Sequence, residues 1–197
     1  MKEVGVVRNN RVWSLEGFLN CKKDVKIGDR VLVPSFTVPE CEIPGEESMQ
    51  FSENHIKADE AIVINKTEKE IHLIFEHCLF QSAVDFNGQK DFEKTQLGIY
   101  LQKDFLKALN ENEVPAVRCD LPNYEEVFGK NCLDFFKAGK NRVGFNFEED
   151  YSVWYWLSSP YKASAAGFCD VDGNGDAYYG NAGNAGSYVR PRFVLAA

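Results

Sequence analysis

The residues whose spacing most resembles a chemical site are Asp170, Asp172, Asn174 and Gly175, in the stretch C-D-V-D-G-N-G-D-A-Y-Y-G-N from Cys169 to Asn181. Oxygen ligands at loop positions 1, 3 and 5, with Gly at 6, open a calcium loop of the helix–loop–helix kind. Such a loop also needs a bidentate Glu at position 12, and here that position is Asn181. Pro160 and Gly167 spoil an entering helix, and Tyr178-Tyr179-Gly180 makes a poor exiting one. The same letters suit two strands, Phe168 to Val171 and Asp176 to Tyr179, joined by Asp172-Gly173-Asn174-Gly175, since Gly and Asn tolerate the positive φ that hairpin turns require. A hairpin is the expectation, and calcium binding over Asp170–Asn181 is the lesser alternative.

Other chemistry is sparse. Cys21, Cys41, Cys78, Cys119, Cys132 and Cys169 form no C-x-x-C pair, and His55, His72 and His77 do not stand at ligand spacing with them. Each Cys reads as a small buried hydrophobe, and neither a metal nor a cofactor is expected. No nucleophile, base or carboxylate pair occurs in a recognisable catalytic pattern, so the sequence reads as a non-enzyme.

The chain has 197 residues, a formal charge of -8 and scattered Lys and Arg. This gives no electrostatic footprint for nucleic acid. No stretch is apolar enough to span a bilayer, and the start has no signal-peptide core, so the expectations are no membrane insertion and residence in the cytoplasm before any assembly.

The elements that must position these residues follow from periodicity. Val4 to Trp13 reads as a hairpin around Arg8-Asn9-Asn10-Arg11, followed by a polar connection and a strand from Arg30 to Pro34. Pro34, Pro39 and Pro44 among Glu and Ser mark residues 34 to 60 as an irregular loop. Ala61 to Asn65 and Glu70 to Cys78 form a second hairpin pattern. Leu97, Leu101, Phe105 and Leu109 recur every fourth residue and predict a helix from Thr95 to Asn110. Asn123-Tyr-Glu-Glu126 is laid out as a capping box, with Gly129 at the stop, predicting a second, short helix. Alternation along S-V-W-Y-W-L puts Trp154 and Trp156 on one face, read as scaffold, and Tyr155 on the other. The closing S-Y-V-R-P-R-F-V-L reads as a strand tying the chain end into a sheet, with Arg190 making structural hydrogen bonds.

W-Y-W-L-S-S-P-Y (Trp154 to Tyr161), V-D-G-N-G and Y-V-R-P-R-F-V-L (Tyr188 to Leu195) resemble the W-W-L-R-S-P, V-x-x-D-G and G-V-R-P signatures of a domain family of unknown function found in gut bacteria and their phages. That family is similar to the C-type lectin fold, shared with formylglycine-generating enzymes and with the variable proteins of diversity-generating retroelements. The resemblance spans roughly residues 61 to 195 and departs from the pattern at Ser158, usually Arg, and at Tyr188, usually Gly. It implies an α+β chain of the C-type lectin fold, in its formylglycine-generating-enzyme-like subclass, with two helices, a small twisted mixed or antiparallel sheet and long loops. Residues 1–60 would supply N-terminal strands and an irregular loop of the same domain, and 61–197 the lectin-like part with a displayed surface at 161–188. Of the copper-binding Cys pair used by formylglycine-generating enzymes, only Cys169 lies in the matching region, and the sugar-binding E-P-N or Q-P-D and W-N-D motifs of calcium-dependent lectins do not occur.

In the variable proteins, adenine-directed mutagenesis acting on Asn codons yields no Lys, Glu, Gln, Met or Trp, and none of these follows Lys162. A Gly-rich loop that avoids long side chains would show the same composition. The resemblance therefore implies a binding protein with a diversified surface, its alternative being an undiversified lectin-fold binding or structural protein. The candidate contact residues are Tyr161, Ser164, Phe168, Asp170, Asp172, Asn174, Asp176, Tyr178, Tyr179, Asn181, Asn184 and Tyr188. Tyr interleaved with short polar residues has the character of a paratope. Phe168 and Tyr188 fit the core equally well. The implied partner is a protein or glycan on a cell surface, the implied location a phage particle or bacterial surface, and homo-oligomerisation is open.

Overall fold

The computed structural model describes residues 11–148 and 151–197. The chain is α+β, with two main sheets, and the Val4–Val7 half of the expected N-terminal hairpin lies outside the described residues. The larger sheet has six strands in the order Val12–Trp13, Arg30–Val33, Asp59–Lys66, Glu70–Phe75, Arg192–Ala196 and Ala116–Asp120. The expected hairpin at residues 61–75 forms its centre, and the C-terminal strand inserts beside it, with Phe193 opposite Leu73. Both faces of this hairpin are covered. Ala61, Val63, Ile71, Leu73 and Phe75 enter one hydrophobic cluster, and Ile62, Ile64 and Ile74 a second. Burial on both sides explains the nearly unbroken apolar run of these strands.

Two stretches differ from the sequence expectation. The polar connection after Trp13 contains a helix, Leu15–Asn20, whose Ser14 hydroxyl accepts the Gly17 N–H and whose Phe18 is buried. Three α-helical stretches therefore stand among the described residues where two were expected. Residues 34–60 are not an irregular loop but nested ladders: Phe36–Val38 pairs with Asn54–Ile56, and Cys41–Ile43 with Met49–Phe51. Pro39 and Pro44 end these three-residue strands rather than abolish them, and Val38, Ile43, Met49 and Ile56 supply every second side chain to the first cluster.

The long helix runs as Gln96–Tyr100, a π-helical turn Leu101–Phe105, and Leu106–Glu111. Its fourfold repeat explains the π turn. Residues four apart on an α-helix advance by about 40° per step, so the row would wind off the core. A turn with i→i+5 bonds holds an extra residue and turns the row back. Leu97, Leu101, Phe105 and Leu109 are accordingly all fully buried. Beyond Asn112, Glu113 takes a left-handed φ of 67°, a conformation that Gly adopts with less strain. The capping box is present in both directions: Asn123 Oδ1 accepts the Glu126 N–H at 2.9 Å and Glu126 Oε2 accepts the Asn123 N–H at 2.7 Å, starting the helix Tyr124–Phe128. Gly129 serves there for space rather than for φ, since a Cβ would lie 2.5 Å from the Glu125 carbonyl oxygen.

Candidate functional site

The second main sheet has five strands in the order Ala177–Asn181, Gly167–Val171, Tyr155–Pro160, Tyr188–Val189 and Phe80–Gln81. The expected hairpin is its outermost pair, with Val171 opposite Ala177 and Gly167 opposite Asn181. Its turn is built by Asp172, whose Oδ1 accepts the N–H groups of Asn174 and Asp176, both at 2.9 Å, while Gly175 supplies the positive φ of 82°. The D-x-D-x-N-G letters thus encode a turn between strands. Both ends of the segment are fastened. Lys90 Nζ donates to the Ser164 and Gly167 carbonyls at 2.9 Å each, and the Val84 N–H donates to the Ala182 carbonyl at 2.7 Å.

The twelve candidate residues divide by what their side chains touch. Tyr161, Tyr178 and Tyr179 come together on the outer strand and the loop beside it. The Tyr161 and Tyr179 rings stack at 3.9 Å, and Tyr179 and Tyr178 at 5.3 Å. Trp154 completes the row, meeting Tyr178 edge-on at 5.0 Å. Tyr178 is 52% exposed, Tyr179 46% and Trp154 42%. Because Tyr178 and Tyr179 are consecutive, the row wraps around the free edge of the sheet from one face to the other. Asn174 and Asp176 are exposed at the hairpin tip.

Ser164, Asp172, Asn181 and Asn184 use their side-chain oxygens to hold turns, Asn181 and Asn184 while exposed. Asn181 Oδ1 accepts the Gly183 N–H and Asn184 Oδ1 that of Gly186, while Ser164 Oγ accepts from Ala166. Tyr188 is half-buried and its hydroxyl accepts from Asn146 Nδ2 at 2.8 Å. Two candidates are not on the surface. Phe168 is fully buried and Asp170 is 1% exposed. Both project to the face of Trp156, because the inner strand of the hairpin is covered on both sides, a circumstance that strand alternation cannot reveal.

Trp154 is a correction in the other direction. It stands just outside the strand that carries Trp156, and only Trp156 reaches the core. Alternation fixes the side of a sheet, not how far the core extends along it. Tyr155 does lie on the other side, buried in the second cluster. Arg190 behaves as expected, donating from Nε to the Phe75 carbonyl at 2.9 Å with its guanidinium over the Tyr155 ring.

Asp170 has a consequence for stability. Its Oδ1 is buried with no hydrogen-bond partner among the described residues, and Oδ2 meets the Ser187 hydroxyl only at 3.5 Å. Burial pushes its carboxyl up to about 6, the nearby Asp172 charge adding to the effect and the Ser187 hydroxyl opposing it. The folded chain therefore holds this proton more tightly than the unfolded one. The associated stability is fully present below the ordinary carboxyl range and is lost as the pH rises through about 6. Asp170→Asn should raise stability by about 1–3 kcal/mol at pH 8 and by close to nothing at pH 4. Urea denaturation at both pH values measures this, and an equal gain at both would contradict it.

The arrangement is an exposed aromatic row on a hairpin with buried anchors. Residues 117–197, which include this entire hairpin, match a family described as a domain of unknown function, DUF6273. No curated protein and no solved structure matches the chain. No helix among the described residues is long and apolar enough to cross a membrane.

Proposed function

We propose that this chain is a lectin-fold binding protein, receptor-binding or adhesin-like, which grips a protein or glycan on a cell surface through the edge formed by Trp154, Tyr161, Tyr178 and Tyr179. The single observation that carries the reading is the mutual stacking of these partly exposed rings along the outer strand and the segments beside it, next to a strand that is buried. Stacking fixes their rotamers before a partner arrives, so little side-chain entropy is lost on contact. The insertion of the C-terminal strand beside the 61–75 hairpin supports the lectin-like reading, and a phage particle or bacterial surface is the location it suits.

The test is binding to bacterial cells and to a glycan array by the whole chain and by a Tyr178→Ala, Tyr179→Ala double variant. The variant should keep its melting temperature within about 2 °C, since exposed substitutions usually change stability by about 0.5 kcal/mol or less, and should lose binding at least about tenfold. Unchanged binding would remove the site.

A fixed rather than diversified surface is favoured by one observation. Asn181 and Asn184, residues of the kind that adenine-directed mutagenesis would strike, hold the turns that shape the loop. Diversification would be confined to positions such as Tyr161, Asn174, Asp176, Tyr178 and Tyr179. Reading the surrounding nucleotide sequence decides between the two: a nearby near-copy of this coding segment, differing at adenines and accompanied by a reverse transcriptase, establishes diversification, and its absence from a fully read neighbourhood leaves the fixed surface.

A further inference from the structure

A separate pocket of about 770 Å³ is lined by none of the residues in the aromatic row. Its chemical centre is His77. The Asp59 carboxylate is buried behind the imidazole and accepts three N–H groups: His77 Nδ1 at 2.8 Å, the His77 main chain at 3.1 Å and the Glu60 main chain at 2.8 Å. A carboxylate accepting at Nδ1 places the ring proton there, so the neutral imidazole presents the Nε2 lone pair as an acceptor. Nε2 has no hydrogen-bond partner among the described residues, and the side chain is 32% exposed. Stacking on Phe147, with centroids 4.2 Å apart, holds the ring from its face. The ring is therefore fixed at one edge and one face, the support that an oriented binding group needs.

The remaining lining selects the ligand. Leu15, Leu32, Val33, Pro34 and Phe147 provide apolar wall, and Leu32 is 50% exposed there. The single guanidinium, Arg30, is held by Glu60 and Glu76 at 2.7 Å each and is not offered to an anion. Asp59, Glu60, Glu76 and Glu113 outnumber it and the Lys57 ammonium, which lies 5.7 Å from the Phe147 ring centroid. A fixed acceptor beside an apolar wall in a negative field suits a donor that is positively charged and carries a hydrophobic body.

We propose that this pocket binds a small organic cation with an apolar body, its ammonium donating to His77 Nε2 and its body lying against Leu32 and Phe147. The probe is benzylamine, with benzoate and benzyl alcohol as the anionic and neutral counterparts, titrated into the full chain while the imidazole signals of His77 and the ring signals of Phe147 are followed by NMR. Benzylamine should give saturable shifts with a dissociation constant on the order of 1 mM, and both counterparts should bind at least about tenfold more weakly. His77→Phe, which keeps a ring against Phe147, should weaken benzylamine at least about tenfold as read at Phe147, and Leu32→Ala, on the exposed wall, should weaken it severalfold. The proposal is overturned by no saturation at about twenty times the expected constant, by benzoate binding as well as benzylamine, or by unchanged affinity in either variant.

Discussion

Trp156→Ala is expected to destabilise the fold by about 3–5 kcal/mol, the range for emptying a buried aromatic site. The indole is 1% exposed, and its Nε1 donates to the Ser82 carbonyl at 2.8 Å, which joins the five-stranded sheet to the chain entering the long helix. Truncation removes the apolar contact and leaves a buried carbonyl unpaired. The site cannot relax inward easily, because the backbone at Gly180 already approaches the ring so closely that a Cβ there would lie 2.6 Å from it. Trp154→Ala, two residues away, should change stability by only about 0.5 kcal/mol, since its ring leans on exposed Tyr178. Chemical denaturation of the two variants side by side is the measurement. Similar losses from both would mean that the burial assigned to this strand is wrong.

Removing Arg192 should have an effect of similar size for a different reason. Its guanidinium is buried, donates from Nε to Asp120 at 2.6 Å and from Nη1 to Glu126, and so joins the C-terminal strand to the edge strand and to the capped helix. Arg192→Ala leaves the largely buried Glu126 carboxylate without its cation and Asp120 with Arg118 alone, and a loss of about 3 kcal/mol follows, below the upper range for fully buried pairs because both carboxylates keep some solvent contact. Glu126 also caps its own helix, so the damage should spread to Tyr124–Phe128. Arg192→Met combined with Glu126→Gln should recover more than half of the loss, because Asp120 keeps its ion pair with Arg118 and the charge on Glu126 is gone. Amide exchange over residues 123–129 in Arg192→Ala gives the local readout, and unchanged protection there would show that the bridge does not support the helix.

The sequence by itself determined the elements whose signals lie within a few residues. The Leu97 row named the long helix, whereas its π turn emerged only in the structure. Asn123 and Glu126 named the capped helix. Asp172 to Gly175 named a turn between strands, because the hydrogen bonds that make the turn are closed by Asp172 itself. Interactions of this kind are made by the backbone with its near neighbours, and side-chain type alone reports them. Only the tertiary structure decided what each face meets. It buried Phe168 and Asp170, exposed Trp154, folded residues 34–60 into paired strands, and set His77 against Asp59 across eighteen positions. Burial depends on which distant strand arrives on each side of a sheet, and the pairing of Arg192–Ala196 with Glu70–Phe75 joins segments more than a hundred residues apart. Alternation says which side a residue occupies, whereas the packed chain alone says whether that side is core, edge or pocket.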